Sequence, residues 1–198
     1  MWIKICGMTD AAAVDAALAA GVDAIGFVFA DSVRRVSVAE AVRLAQPARA
    51  RVACVAVTMQ PSATLLASIL RDFQPDILQS DAADLVAAEL GARCALLPVL
   101  RAGAAVREPL PARILFEGPR SGTGTTADWQ AARALARRTQ LVLAGGLTPE
   151  NVREAIGQVQ PFGVDVSSGV ELQPGVKSPH RIRQFVDAAR AAFQEQMT

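Results

Sequence analysis

The chain has 198 residues, of which 52% are hydrophobic and 20% are charged, and its formal net charge is +1. This length and apolar content allow one substantial core, so we predict a single domain over residues 1–198. The near-neutral charge argues against a basic surface for nucleic acid, and no apolar run reaches the roughly 18 residues of a membrane-spanning helix. Neither nucleic acid nor a membrane is therefore an expected partner.

Cysteine and histidine usage bears on metal sites and on the cellular compartment. The three cysteines, Cys6, Cys54 and Cys94, show no CxxC spacing, and the single histidine is His180. Neither a disulfide framework nor a zinc site is expected from these residues, and Cys54 and Cys94 lie in apolar runs typical of core packing. The sequence starts with a strand-like stretch at residues 2–6 and not with the pattern of a signal peptide, which predicts a cytoplasmic protein.

Apolar runs of strand length recur along the whole chain, each followed by a helical pattern or a remnant of one. We predict eight strands, at residues 2–6, 23–29, 51–57, 76–79, 94–100, 112–117, 141–144 and 162–166. Helices are predicted at residues 10–20, 38–48, 61–73, 82–90 and 128–138, from Pro149 onward, and at residues 179–194. Ser37, Thr148 and Ser178 are predicted N-caps. Residues 101–111 are few and contain prolines, so the fifth helix is expected to be stunted or irregular.

The alternation of strands and helices predicts an α/β protein with a parallel sheet and right-handed crossovers. Eight such units favour closure into a (β/α)8 barrel, a small TIM barrel with short loops. The rival architecture is an open doubly wound sheet. That sheet would place a GxGxxG turn after the first strand, and the sequence has none there.

Two consecutive strands near the end of the chain lead into loops of small residues. Gly145 and Gly146 follow strand seven, and Ser168 and Gly169 follow strand eight. Backbone N–H groups unhindered by a Cβ can converge on an anion, and barrels place their phosphate site after strands seven and eight. One such loop alone fits a tight connection with no ligand equally well, but the pair predicts a phosphate site.

The first strand alternates apolar and polar residues before it reaches a cysteine. Period two sends Lys4 and Cys6 to one side and Ile3 and Ile5 to the other. If the isoleucines face the helices, Lys4 lies inside the barrel and needs a partner, which we expect to be Asp165 of the adjacent strand eight. A lone cysteine at a strand end is usually a small buried hydrophobe, so position alone leaves both that interpretation and catalysis open for Cys6.

Three further charged residues have both a structural and a chemical interpretation. Asp128 precedes a helix and can be its N-cap, and a capping aspartate also faces the mouth of a barrel, where catalytic groups lie. Arg34 and Arg35 follow the second strand, where they are either solvated loop charges or a clamp for a substrate carboxylate. The spacing to Ser37 favours Arg34 over Arg35 as such a clamp.

Taken together, five stretches resemble the phosphoribosylanthranilate isomerases, (β/α)8 enzymes of tryptophan biosynthesis. They are residues 4–9 (KICGMT), 26–34 (GFVF with SVR), 122–129 (GTG with DW), 143–152 (LAGGLTPENV) and 163–177 (GVDVSSGVE with PGVK). Each stretch is only suggestive by itself, whereas the set spans the chain in the order typical of the family.

The resemblance implies an aldose-ketose isomerase that converts N-(5'-phosphoribosyl)anthranilate to 1-(2-carboxyphenylamino)-1-deoxyribulose 5-phosphate by an Amadori rearrangement. In that family a strand-one cysteine is the general base and an aspartate after strand six is the general acid, roles that fall on Cys6 and Asp128. Arg34 would meet the anthranilate carboxylate, and Asp165 would belong to the substrate-binding residues. Neither a metal nor an organic cofactor is implied, and we expect a monomer or a homodimer.

The resemblance also implies that the substrate phosphate lies on backbone N–H groups of the two small-residue loops. These are the N–H groups of Gly145, Gly146, Ser168 and Gly169. The related histidine-pathway isomerase, another phosphosugar barrel, would use paired aspartates, whereas strand one ends here in Cys6. A non-catalytic phosphoribosyl-binding protein is disfavoured by the presence of both Cys6 and Asp128.

The chain departs from the family pattern at several positions near the expected mouth of the barrel. Asp81 stands where a histidine is usual after strand four, and it would repel an anionic substrate unless it is paired or points outward. Glu117 replaces an aspartate at the end of strand six. The remaining departures are Ser121 for glycine, Ala127 for phenylalanine, and Ser178 for aspartate before the last helix.

Overall fold

The computed structural model describes residues 1–87, 94–106, 108–118 and 128–196. Eight parallel strands form a closed barrel in chain order, each hydrogen-bonded to the next and the eighth to the first. They are β1 (Ile3–Cys6), β2 (Ala24–Val28), β3 (Ala53–Val57), β4 (Ile77–Asp81), β5 (Ala95–Arg101), β6 (Arg113–Glu117), β7 (Gln140–Leu143) and β8 (Gly163–Val166). The predicted (β/α)8 barrel is therefore confirmed.

Seven α-helices surround this barrel in the described residues. They are α1 (Ala11–Ala20), α2 (Val38–Ala45), α3 (Ala63–Ser68), α4 (Ala82–Ala87), α5 (Trp129–Ala136), α6 (Val152–Val159) and α7 (Pro179–Glu195). Short 3-10 turns lie at Gln46–Ala48 and Ser168–Val170, and a π-helical turn at Ile69–Phe73 continues α3. No helix lies between β5 and β6 in residues 102–106 and 108–112, which agrees with the expected irregular fifth connection. Among all the residues that the structure describes, no helix is both long and apolar enough to cross a bilayer.

Alternation along the strands separates two apolar layers. Ile3 and Ile5 of β1 are fully buried in the core cluster that also contains helix residues such as Phe185 of α7. The opposite faces of the strands form a smaller interior cluster, which includes Ala24, Val55, Leu97, Leu115 and Val142. Lys4 thus has the parity of the barrel interior, as the strand pattern predicts.

Helix starts follow the sequence signals with one exception. Three predicted caps accept a backbone N–H in the first turn of their helices, and they are Ser37, Asp128 and Ser178. Thr148 is not the cap of α6, because this helix begins at Val152, after Asn151. Asn151 Oδ1 instead accepts the Thr148 N–H at 2.8 Å, so Thr148 and Pro149 lie in a turn that precedes the helix. The predicted start was wrong because a local side-chain bond competes with helix initiation.

Two strands extend further than the apolar pattern predicts, and one hairpin was not predicted at all. β4 ends at Asp81 instead of residue 79, and β5 ends at Arg101 instead of residue 100. After β8 the chain forms an antiparallel hairpin of β9 (Glu171–Gln173) and β10 (Val176–Lys177). Both differences place charged side chains near the carboxyl end of the barrel.

The barrel closes where β8 pairs with β1, in a register that aligns Lys4 with Asp165. Gly163 begins β8 beside Trp2. A Cβ on Gly163 would lie 2.4 Å from the Trp2 carbonyl oxygen and 2.9 Å from the Trp2 Cβ. Only glycine therefore lets the two chain segments approach each other at this point.

Replacing Gly163 by alanine should destabilise the barrel, because the added methyl group overlaps the Trp2 backbone. We expect Gly163→Ala to lower the free energy of unfolding by roughly 1–3 kcal/mol in urea denaturation. Gly157→Ala is the matched control, since Gly157 is exposed in α6 and a Cβ there would have no neighbour within 4 Å outside the helix. This control should gain roughly 0.5–1 kcal/mol, because alanine favours helix more than glycine does. Equal unfolding midpoints for Gly163→Ala and the unmodified chain would contradict this view of the closure.

Candidate active site

A cavity of about 290 Å³ opens among the carboxyl ends of the strands. Its walls include Cys6 from β1, Arg34 from the loop after β2, and Asp165 from β8. The strands between them contribute further polar residues, among them Gln79, Asp81, Arg101 and Glu117. Because the active sites of barrels lie at this end of the strands, the cavity is the candidate active site.

Strand one brings a lysine and a cysteine together at this cavity. Lys4 is fully buried, and its Nζ donates to Asp165 Oδ1 at 2.9 Å, which confirms the pairing predicted from strand parity. Burial alone would lower the pKa of Lys4, but the Asp165 carboxylate and the neighbouring Cys6 together outweigh burial and raise it. Gly26 on β2 makes room for both side chains, because a Cβ there would lie 3.0 Å from Cys6 Sγ and 3.1 Å from Lys4 Cε.

Cys6 is a buried thiol in the field of two ammonium groups. Its exposed fraction is 7%, and burial raises the pKa of the thiol above its ordinary value. Lys4 and Lys177 act in the opposite direction, since a nearby ammonium stabilises the thiolate, while the Asp165 carboxylate adds to the increase. The thiol is thus buried next to cations that favour its deprotonated form.

A buried ion network next to Cys6 was not foreseen from the sequence. Arg34 donates from Nε and Nη2 to the two oxygens of Glu171, at 2.7 and 2.9 Å. Lys177 Nζ donates to Glu171 Oε1 at 2.7 Å and to the Ser167 carbonyl at 3.0 Å. Ser167 Oγ in turn donates to the Cys6 carbonyl at 3.0 Å, which ties the network to strand one.

Glu171 is the centre of this network. Burial opposes its charged form, but hydrogen bonds from Arg34 and Lys177 prevail and hold the pKa of the carboxyl below its ordinary value. Burial lowers the pKa of Lys177. Glu171 and Lys177 both lie in a stretch that carried the family resemblance, yet only the unpredicted hairpin brings them together. With two cations and one carboxylate, the network has a net charge of +1.

Arg34 and Arg35, the two alternative candidates for a carboxylate clamp, lie in different surroundings. Arg34 is 9% exposed and lines the cavity. Arg35 is exposed and is not part of the lining. Of the two, Arg34 is therefore placed to meet an anion inside the cavity.

The two small-residue loops after β7 and β8 meet at this cavity. Gly145 and Gly146 have φ angles of 86° and 64°, a left-handed conformation that glycine adopts without strain, and both line the cavity together with Ser168. Gly169 is not part of the lining. A Cβ on Gly169 would lie 1.9 Å from the Leu147 carbonyl oxygen, so the two loops are in direct contact. The predicted phosphate loops are thus brought to one place.

Asp128 lies at the start of α5, where its Oδ1 accepts the N–H groups of Gln130 and Ala131 at 3.0 Å. The side chain is exposed and is not among the residues that line the cavity as described. Because α5 follows β6, its first turn lies at the same end of the barrel as the cavity. Residues 119–127, which include the predicted Gly122-Thr123-Gly124 stretch, lie outside the described residues. The N-cap interpretation is confirmed, and the catalytic one stays a prediction.

Asp81, where the family pattern has a histidine, takes part in an ion pair. Arg101 Nη2 donates to Asp81 Oδ1 at 2.7 Å, and Arg101 Nη1 donates to Glu117 Oε1 at 2.6 Å. Arg101 was not predicted from the sequence, because it belongs to no motif and only the strand register brings it between the two carboxylates. The expected repulsion of an anion by Asp81 is therefore moderated by a neighbouring cation.

A larger cavity of about 880 Å³ lies along β4, β5 and β6. Its lining is mainly aliphatic and includes Leu96, Leu100 and Leu110. It lies where no helix covers the described part of the connection between β5 and β6. We interpret it as a gap left by the irregular fifth connection, since an aliphatic lining does not suit an anionic ligand.

Comparison with known proteins gives concordant matches. The family model described as N-(5'phosphoribosyl)anthranilate (PRA) isomerase matches residues 3–188. An N-(5'-phosphoribosyl)anthranilate isomerase from Rhodopseudomonas palustris (strain BisB18) is 42% identical over 209 residues, covering 96% of each chain. The crystal structure of TrpF from Jonesia denitrificans is 38% identical, with a TM-score of 0.80 and 98% of both chains covered.

A further solved structure is that of a phosphoribosyl anthranilate isomerase in complex with reduced 1-(o-carboxyphenylamino)-1-deoxyribulose 5-phosphate. It is 28% identical, has a TM-score of 0.80, and covers 96% of this chain and 99% of its own. The family match over residues 3–188 contains all eight strands of the barrel and every candidate site residue. The chain therefore belongs to the N-(5'-phosphoribosyl)anthranilate isomerase family.

Proposed function

We propose that this chain catalyses the Amadori rearrangement of N-(5'-phosphoribosyl)anthranilate to 1-(2-carboxyphenylamino)-1-deoxyribulose 5-phosphate in tryptophan biosynthesis. Its family supports this activity. The observation that carries the proposal is the buried Cys6 thiol beside Lys4 and Lys177, in a cavity whose wall also contains Gly146 and Ser168. A base for a C–H proton and an anchor for a phosphate are thereby combined in one site.

The reaction needs an acid and a base at different atoms of the sugar. An acid must protonate the ring oxygen as its bond to C1 breaks, which leaves an iminium between C1 and the anthranilate nitrogen. A base must then take the C2 proton, and the resulting enolamine gains a proton at C1 and loses the C2 hydroxyl proton to give the ketone. Each of these steps is a proton transfer coupled to breaking a C–O bond or moving a double bond, so an acid and a base can carry out the whole rearrangement.

We assign the base to Cys6 and the acid to Asp128. Lys4 and Lys177 stabilise the deprotonated form of Cys6, which a base requires. Asp128 is exposed at the cavity end of the barrel, and two backbone N–H groups fix the position of its carboxyl group.

We assign the two anionic groups of the substrate to different parts of the cavity. Arg34 would bind the anthranilate carboxylate, because Glu171 holds its guanidinium through Nε and Nη2 and does not use Nη1. The net charge of +1 on the buried network favours an anion at this place. The phosphate is assigned to the N–H groups of Gly145, Gly146, Ser168 and Gly169. Asp165 lines the same cavity and is counted among the substrate-binding residues.

We propose that residues 1–198 form one domain that acts on a small phosphosugar in the cytoplasm, as a monomer or a homodimer. A formal net charge of +1 supports a small-molecule substrate and not a nucleic acid.

Losing either proton-transfer group should strongly lower kcat without unfolding the protein. We expect Cys6→Ser and Asp128→Asn each to lower kcat at least about 100-fold, the effect typical of losing a general base or acid. Asparagine remains a good N-cap, so Asp128→Asn separates proton transfer from helix capping. The rate is measured with N-(5'-phosphoribosyl)anthranilate, and folding is followed by thermal unfolding.

Matched controls carry the same substitutions away from the proposed chemistry. Cys94→Ser, and Asp10→Asn at the N-cap of α1, should keep the rate of the unmodified chain. The activity itself is tested by complementation of a tryptophan auxotroph that lacks this isomerase step. Near-normal rates in both Cys6→Ser and Asp128→Asn would remove the assigned roles, and failed complementation by the unmodified chain would remove the proposed function.

The buried network should make stability depend on pH through Glu171. Although burial opposes it, Arg34 and Lys177 hold the pKa of Glu171 below its ordinary value, so the stabilisation is present above that value and is lost as pH falls through the lowered pKa. We expect Glu171→Gln to lower the free energy of unfolding by roughly 1–3 kcal/mol at pH 7, with a smaller difference below about pH 4. Glu154→Gln, on the exposed face of α6, is the control and should change little. A difference that stays constant with pH would refute this role for Glu171.

A further inference from the structure

Three charged side chains from neighbouring strands line one part of the cavity, and we call them the mouth triad. Asp81 ends β4, Arg101 ends β5 and Glu117 ends β6. Arg101 Nη2 lies 2.7 Å from Asp81 Oδ1, and Arg101 Nη1 lies 2.6 Å from Glu117 Oε1. Their side chains are 29% (Asp81), 24% (Arg101) and 14% (Glu117) exposed, so all three are partly buried but remain in contact with the solvent of the cavity.

The charges of the mouth triad do not cancel. Two carboxylates and one guanidinium give it a net charge of −1, whereas the buried network around Arg34 has a net charge of +1. The proposed substrate carries both a carboxylate and a phosphate. Within the triad, such an anion is repelled by Asp81 and Glu117 and attracted by Arg101. Arg101 therefore controls how strongly this part of the cavity opposes the substrate.

The two carboxylates of the triad are also places where the chain departs from the pattern expected of its family. Asp81 stands where a histidine is usual, and Glu117 stands where an aspartate is usual. A neutral histidine brings no negative charge, so the change to Asp81 adds a charge that needs a counterion. The strand register pairs Asp81 with Val99 and Glu117 with Arg101, which puts Arg101 within reach of both carboxylates.

We propose that Arg101 is a positioning residue of the active site, which neutralises Asp81 and Glu117 and thereby admits a substrate with two anionic groups. This inference rests on the proposed function, since it concerns how the same substrate binds. Arg101 acts through the two carboxylates and needs no contact of its own with the reacting atoms. Its effect is therefore expressed in KM, while kcat depends on Cys6 and Asp128.

A purely structural ion pair at the strand ends would behave differently from such a positioning residue. Its loss would change the stability of the barrel and would give a kinetic defect that salt does not relieve. Repulsion between an unpaired carboxylate and an anionic substrate weakens with salt, because the Debye length falls from about 10 Å at 0.1 M to about 3 Å at 1 M. The salt dependence of KM therefore separates the two roles.

The test measures steady-state isomerisation of N-(5'-phosphoribosyl)anthranilate at low and at high NaCl concentration. Arg101→Met is expected to raise KM about tenfold at about 0.05 M salt and less than about threefold at about 1 M, with kcat within about twofold of the unmodified chain. Arg101→Lys keeps the charge and should recover most of this loss, although it cannot reproduce the forked geometry. Adding Asp81→Asn to Arg101→Met should lower KM again, because one unpaired carboxylate is removed.

Asp81→Asn alone gives a second, independent measurement that leaves Arg101 and Glu117 in place. It removes one negative charge from the mouth triad, so KM should fall at low salt and approach that of the unmodified chain at high salt. Arg71→Met is the control for total charge, because Arg71 is exposed, pairs with Asp72 and precedes β4 at the other end of the barrel. This control should leave KM unchanged.

Two outcomes would overturn the inference. One is a KM in Arg101→Met that is unchanged, or that rises without being reversed by salt or by Asp81→Asn. The other, which remains decisive if Arg101→Met fails to fold, is an Asp81→Asn variant whose KM at low salt equals that of the unmodified chain. An unmodified chain without isomerase activity would instead overturn the proposed function, so the two failures are distinguishable.

Discussion

The ion pair between Lys4 of β1 and Asp165 of β8 fixes the geometry of the site. An ammonium group fully removed from water is costly unless a carboxylate pairs with it, so the first and last strands must meet in the register that aligns these residues. Cys6 lies two positions after Lys4, and Ser168 lies three positions after Asp165. Closing the barrel therefore brings the thiol and the small-residue loop after β8 to the same cavity.

The described residues around the cavity include two charged groups of opposite net sign. The network of Arg34, Glu171 and Lys177 lies by β1 and β8 and has a net charge of +1, whereas the mouth triad on β4 to β6 has a net charge of −1. A substrate with two anionic groups is thus drawn toward the positive side, where Lys4 and Lys177 partly offset the burial that raises the pKa of the Cys6 thiol. The proposed orientation of the substrate and the partial compensation of burial at Cys6, the proposed base, then have a common electrostatic origin.

Local patterns predicted the barrel, most helix caps, and the inward position of Lys4, because each depends on residues close together in sequence. The predicted start of α6 was wrong, because the side chain of Asn151 forms a turn with Thr148 that helix signals do not reveal. The pairing of Glu171 with Lys177 requires a hairpin whose two strands are too short to show a pattern. The bonds from Arg101 to Asp81 and Glu117 depend on register across three strands, which is set by contacts between distant parts of the chain.

We propose that Cys6 and Asp128 act on one sugar whose phosphate lies between the loops after β7 and β8. A crystal structure of this chain with a reduced analogue of the proposed product tests it most directly. We expect phosphate oxygens at about 3 Å from the backbone nitrogens of Gly146 and Ser168, with Cys6 Sγ and the Asp128 carboxyl group on opposite sides of the bound sugar. A phosphate bound elsewhere, or an Asp128 side chain directed away from the ligand, would contradict it.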